Sequence, residues 1–167
     1  YSKAYGFSNE YFPHPIFSSE PLGHVLGVAG SSDFALLALK SGATKYTGID
    51  ERILSLLWSE LKCVAHFQLS KSEFIGFFFA NSFSSPNNSF YNSSLYSQRI
   101  SSHLSLSAKD FFDVLFKELD CQKDKIKYLD IFLRNFQIPQ HRADELQWAA
   151  SLYSQELGGV LELRHGS

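Results

Sequence analysis

The segment His24 to Glu51, HVLGVAGSSDFALLALKSGATKYTGIDE, constrains the fold more than any other part of the chain. A short apolar run bounded by glycine, His24 to Ala29, has the character of a buried strand. Phe34 to Lys40 (FALLALK) is built from good helix formers, and Gly42 supplies a C-terminal stop. Lys45 to Ile49 (KYTGI) returns to strand character and runs into an acid, Asp50. Strand, helix and strand in this length form the unit that a right-handed parallel crossover requires. The expected fold class is α/β, with a doubly wound parallel sheet.

A sheet of that kind binds ligands beyond the carboxyl ends of its strands, where the first strand turns into its helix. Here the turn is Ala29-Gly30-Ser31-Ser32-Asp33. Gly30 lets a ligand approach the backbone closely, and the amides of Ser31, Ser32 and Asp33 open a helix whose N-terminus favours an anionic group. Asp50 follows Gly30 by 20 residues, with Glu51 beside it. At that distance a carboxylate can accept hydrogen bonds from both ribose hydroxyls of an adenosine-containing cofactor. The glycines do not suit a pyrophosphate: Gly27-Val28-Ala29-Gly30-Ser31-Ser32-Asp33 does not place glycine at the second and third positions of a dinucleotide loop. S-adenosylmethionine, which carries adenosine and an amino acid tail but no phosphate, fits better than NAD. Two other readings stay open, an NAD-linked oxidoreductase and a plain strand-to-helix turn that binds nothing.

The rest of the chain reads as mostly helical. Residues 1 to 23 contain Pro13, Pro15 and Pro21 and suit an extended leader over a domain face. Glu51 to Leu69 predicts a helix that buries Ile53, Leu54, Leu57, Leu61, Val64 and Ala65 and turns Arg52, Ser55, Ser59 and Lys62 largely elsewhere. A short helix follows at Phe74 to Phe79, with Ser70 or Ser72 as N-cap. Residues 80 to 107, rich in Ser and Asn with interleaved aromatics, predict a long loop. Ser107 is expected to cap the helix AKDFFDVLFKELD, KIKYLDIFLRNF reads as an amphipathic helix, 143 to 157 as a further helix, and VLELR at 160 to 164 as a last strand.

Composition narrows the function classes. The net charge is -2, with 44% hydrophobic and 19% charged residues. This gives no basic excess for nucleic acid. At 167 residues the chain is the size of a single domain, 1 to 167. Cys63 and Cys121 lack metal-ligand spacing and read as reduced core residues in a cytoplasmic protein; His66, His103 and His141 likewise lack metal spacing. The longest apolar run, Phe74 to Ala80, is far shorter than the roughly 20 residues of a membrane span, so no transmembrane segment is expected.

From Val25 to Lys62, and more loosely to Phe112, the chain resembles the S-adenosylmethionine:diacylglycerol 3-amino-3-carboxypropyltransferases of betaine-lipid synthesis. The matching parts are VLGVAGSSDFALLAL, YTGID and LLWSELK, with Glu60-Leu61-Lys62 at the family's spacing from Asp50. LYSQRIS and AKDFFDVL are similar to later family segments, and GGVLELR looks like the Gly-Gly strand of the wider methyltransferase class. Where the family has Asn-Pro and Gln after the acid, this chain has Arg52, Ile53 and Ser55. The resemblance implies a Rossmann-like sheet of the S-adenosylmethionine-dependent methyltransferase type, with the cofactor held by Ala29, Gly30, Ser31, Ser32, Asp33, Asp50 and Glu51. It implies transfer of the 3-amino-3-carboxypropyl group to a hydroxyl-bearing small molecule or lipid, at a cytoplasmic or peripheral membrane location. Methyl transfer and a non-catalytic domain of the same fold are the alternatives. Asp33 is the candidate catalytic base, against a capping role; Lys62 could pair with an acid. Tyr91, Tyr96 and Trp58 are expected in core or surface packing, with the tyrosines closing over an adenine and Trp58 lining the pocket as the alternatives, and Asp110 and Asp113 on a solvated face.

Overall fold

A computed structural model of the chain describes residues 4–5, 22–78, 91–123, 133–134 and 160–165. It is an α/β arrangement around a small parallel sheet. Strand β2 (His24–Val28) leads through helix α1 (Asp33–Lys40) to β3 (Lys45–Asp50), and β5 (Val160–His165) joins the far side of β3. All pairings are parallel, with Gly27 opposite Gly48, Val28 opposite Ile49 and Asp50 opposite His165. Ala4–Tyr5 (β1) and Leu133–Arg134 (β4) form a separate parallel pair. The predicted helix over KIKYLDIFLRNF therefore fails at Leu133–Arg134; its other residues, the helix at 143 to 157 and the rest of the leader lie outside the described residues.

Helix α1 ends as the sequence predicts. Gly42 takes φ +95°, its N–H donates to the Leu39 carbonyl at 3.1 Å, and the Ala43 N–H donates to the Ala38 carbonyl at 3.0 Å. That pair of bonds is a Schellman closure, which needs a left-handed residue where glycine has no Cβ to strain. One face of α1 packs Ala35, Ala38 and Leu39 on Tyr46 of β3. The Tyr46 hydroxyl reaches across β2 to donate to the Val28 carbonyl at 3.0 Å. A Cβ on Gly27 would collide with that hydroxyl, so the glycine of the strand makes room for the tyrosine.

Helix α2 (Ile53–Gln68) corrects the expected burial. Ser55, Ser59 and Lys62 are buried, and Ile53 is 60% exposed. A helix with one stripe on an aromatic core and another on the β2–α1 turn is enclosed on more sides than a simple amphipathic helix. Helix α3 (Lys71–Phe78) starts in a capping box: the Ser70 N–H donates to the Glu73 carboxylate at 2.8 Å, and the Glu73 N–H to Ser70 Oγ at 3.3 Å.

The predicted loop over 80 to 107 is largely helical where it is described. Asn92 Oδ1 accepts the Leu95 N–H at 3.0 Å and starts α4 (Ser93–Leu95), which runs on as a π-turn at Tyr96–Ile100 and a 3₁₀ turn at Ser101–His103. Burial of Tyr96 and Ile100 outweighs the polar composition of this stretch. Ser105, not Ser107, caps α5 (Leu106–Cys121), and both Ser105 N and Oγ donate to the Glu60 carboxylate. Helices α2, α3 and α5 enclose an aromatic core of Trp58, Phe74, Phe77, Phe78, Phe112 and Phe116. Tyr96 stacks on Phe116 at 4.1 Å. Cys63 is buried and Cys121 exposed, so only the first is a core cysteine.

Candidate functional site

The carboxyl ends of β2 and β3 bring the two parts of the predicted site together. The Gly30 N–H donates to Asp50 Oδ2 at 3.2 Å, and the Arg52 N–H donates to Asp50 Oδ1 at 2.9 Å. Asp50 thereby ties the turn after β2 to the start of α2. Each carboxylate oxygen accepts one backbone amide in these contacts and has a second lone pair for another donor. Gly30 has φ +51°, and the position its Cβ would occupy has no atom within 4 Å. The outer side of the turn is therefore backbone facing open space, and both halves of that surface are half-buried.

The inner side of the same turn is closed by polar contacts. Ser31 Oγ donates to Asp33 Oδ2 at 2.6 Å, and Lys62 Nζ donates to Asp33 Oδ1 at 2.8 Å. The side chains of this ion pair are 0% and 1% exposed. Burial pulls the Lys62 ammonium below its ordinary range, against the attraction of the Asp33 carboxylate. Ser59 Oγ points at the Ala29 and Gly30 carbonyls, at 3.4 and 3.1 Å, and Ser32 Oγ donates to the Ser59 carbonyl at 3.1 Å. Next to Lys62, burial pushes the Cys63 thiol up to about 12.

The predicted residues thus separate by depth. Gly30 and Asp50 are half-buried, while Ala29, Ser31, Ser32 and Asp33 are buried. Glu51 is exposed, 4.0 Å from Arg52 Nε. Asp33 faces Lys62 and Ser31 rather than the open side, which gives its carboxylate an internal partner. Trp58, Tyr91 and Tyr96 lie in the aromatic core, with Trp58 and Tyr91 ring centroids 6.2 Å apart. Asp110 and Asp113 are exposed, but Asp113 also accepts the Tyr96 hydroxyl at 2.8 Å and pairs with Lys109.

Ser59 is the contributor that sequence reasoning missed. A signal existed: Ser55, Ser59 and Lys62 recur at steps of four and three, a polar stripe along one side of the helix. Such a stripe reads as solvated unless its neighbours are known. Among the described residues, no group of three or more His, Cys, Asp or Glu could hold a metal ion. No protein-family model, no curated protein and no solved structure matches the chain.

Proposed function

We infer that the chain is an S-adenosylmethionine-dependent transferase with a Rossmann-like fold, and that its preferred reaction is 3-amino-3-carboxypropyl transfer to a hydroxyl-bearing acceptor, of small-molecule or lipid type. The observation that carries this reading is the 3.2 Å contact between the Gly30 amide and the Asp50 carboxylate. It joins a close-approach turn to an acid at the carboxyl end of adjacent parallel strands, the arrangement that adenosine-containing cofactors use. The three-stranded parallel sheet in the order β2-β3-β5 is compatible with a Rossmann-like fold.

The residues present fit the cofactor in two respects. Asp50 has acceptor capacity for ribose hydroxyls beyond the two amides it already holds, and Gly30 offers open backbone where an amino acid tail can approach. The bound sulfonium would activate three adjoining carbons, and the site would select one by presenting it to the acceptor. An acceptor hydroxyl needs a group that takes its proton. Asp33, enclosed with Lys62, does not meet that requirement from inside the turn. A binding domain without catalysis is the second reading, and the inward placement of Asp33 favours it. No helix among the described residues is long and apolar enough to cross a membrane. On this reading a lipid acceptor would be met at a membrane surface.

Calorimetric titration with S-adenosylmethionine, S-adenosylhomocysteine and methylthioadenosine tests the reading. We expect saturable binding that Asp50→Ala weakens by about tenfold or more, the value of losing one or two charge-assisted hydrogen bonds. With labelled cofactor and a diacylglycerol acceptor, methylthioadenosine should accumulate; S-adenosylhomocysteine in its place points to methyl transfer. Absence of binding to all three compounds overturns the cofactor assignment.

A further inference from the structure

The turn at Gly30–Ser32 poses a conformational problem that its own sequence does not solve. Gly30 and Ser32 both take positive φ, +51° and +68°. Glycine adopts that region freely, whereas a side chain at Ser32 opposes it. A loop rich in glycine would reach the same shape without help; this one has serine at 31 and 32. The polar groups on its inner side instead run to one face of α2. Ser59 Oγ reaches the Ala29 and Gly30 carbonyls, the Ser59 carbonyl takes the Ser32 hydroxyl, and Lys62 takes the Asp33 carboxylate. Ser59 and Lys62 are three residues apart, so a single helix face makes all of these contacts.

The ion pair at the centre of this clamp is a poor choice for stability alone. Two charges removed from water lose hydration that their attraction only partly returns, and well-packed apolar pairs of similar volume often serve as well or better. What a charged, hydrogen-bonded pair supplies and an apolar pair does not is direction. We propose that Ser59 and Lys62 of α2 are positioning residues for ligand binding: acting through Asp33 and the turn carbonyls, they fix the left-handed backbone that presents Gly30 to a ligand. This rests on the reading of the turn as the cofactor's seat. It extends that reading by assigning the shape of the seat to the side chains of α2 on the inner side of the turn.

Two double variants of the full chain separate direction from volume. Asp33→Leu with Lys62→Met keeps an apolar pair of similar bulk; Asp33→Asn with Lys62→Gln keeps a neutral hydrogen-bonded pair. Positioning predicts that the apolar pair loses S-adenosylhomocysteine affinity by about tenfold or more in calorimetric titration, while the neutral pair stays within about threefold of the wild-type chain. Wild-type affinity in a folded apolar pair overturns the proposal. Hydrogen exchange supplies a readout independent of ligand. The amides of Gly30, Ser31 and Ser32 should exchange about tenfold faster in the apolar pair, with Phe112 and Phe116 of α5 unchanged. Unchanged exchange at the turn overturns positioning even where the wild type binds nothing; failure of the wild type to bind, with faster turn exchange in the variant, overturns the cofactor assignment alone. Should the apolar pair not fold, Ser59→Ala removes the shared hydroxyl without touching a charge, and the same turn amides should exchange faster.

Discussion

Ser32 concentrates the local cost of the turn, and its two simplest replacements divide that cost into parts. Ser32→Ala keeps the side-chain penalty at φ +68° and loses the bond to the Ser59 carbonyl, so we expect a loss of about 1–2 kcal/mol in urea unfolding. Ser32→Gly loses the same bond but relieves the backbone and should sit about 1 kcal/mol above the alanine variant. Equal stabilities for the two would mean that no strain is held at this position. Lys62 has a larger role: Lys62→Met alone leaves the Asp33 carboxylate enclosed without its cation, at a cost of about 3–5 kcal/mol. Beside it, Cys63 gives the pH dependence a definite sign. Its thiol ordinarily ionises near 9.0, and burial holds it protonated in the folded chain up to about 12. Between those values the unfolded chain releases a proton that the folded chain keeps, so this contribution is fully present below pH 9 and is lost as pH rises. Urea midpoints between pH 8 and 10.5 should therefore fall more steeply for the wild type than for Cys63→Ala.

Elements whose signals are local were legible in the sequence, and those whose signals are tertiary were not. Strands β2, β3 and β5 and helices α1 and α2 follow from apolar runs and glycine or capping positions within each segment. Gly42 as a helix stop and Ser70 as a cap follow from conformational preferences that need no partner. The helical turns at Ser93–His103 depend on Tyr96 and Ile100 finding the aromatic core, which composition cannot report. Likewise Gly30 and Asp50 were legible as a spaced pair, whereas the clamp beneath them required knowing that Ser59 and Lys62 face inward. Ser105 was missed for Ser107 because its capping role is fixed from outside, by Glu60 of α2. Removing that contact tests the element: Ser105→Ala deletes the cap on the Ala108 amide and the bond to Glu60, and should lower stability by about 1–2 kcal/mol, with Ser107→Ala near neutral. A chemical-denaturation series on the two variants decides which serine caps α5.

Among the described residues the apolar interior divides in two, and α1 contributes to both parts. One cluster holds the aromatic side chains of α2, α3 and α5 with Leu36 of α1; the other holds Ala35, Ala38, Leu39, Ala43 and Tyr46 against the sheet. The second is small, and its sheet shows Leu26 and Val28 of the outer strand β2 to solvent. Local opening free energy follows buried apolar contact, so the sheet with α1 should open below the global unfolding free energy while α5 does not. Gly27 and Phe116 discriminate between this and a chain that opens as one unit. Gly27→Ala forces its new Cβ against the Tyr46 hydroxyl and should cost about 1–3 kcal/mol, confined to the small cluster. Phe116→Ala empties the centre of the aromatic cluster and should cost about 3–5 kcal/mol. In native-state hydrogen exchange we expect Gly27→Ala to speed the amides of β2, β3 and α1 and leave those of α5 at wild-type rates. Phe116→Ala should instead speed α2 and α5 along with the sheet, because the turn that leaves β2 and the start of α1 are held to α2 through Ser59 and Lys62. Equal acceleration of α5 by both variants would make the two clusters one cooperative unit and remove the basis for treating the β2–α1 turn as the more easily opened part.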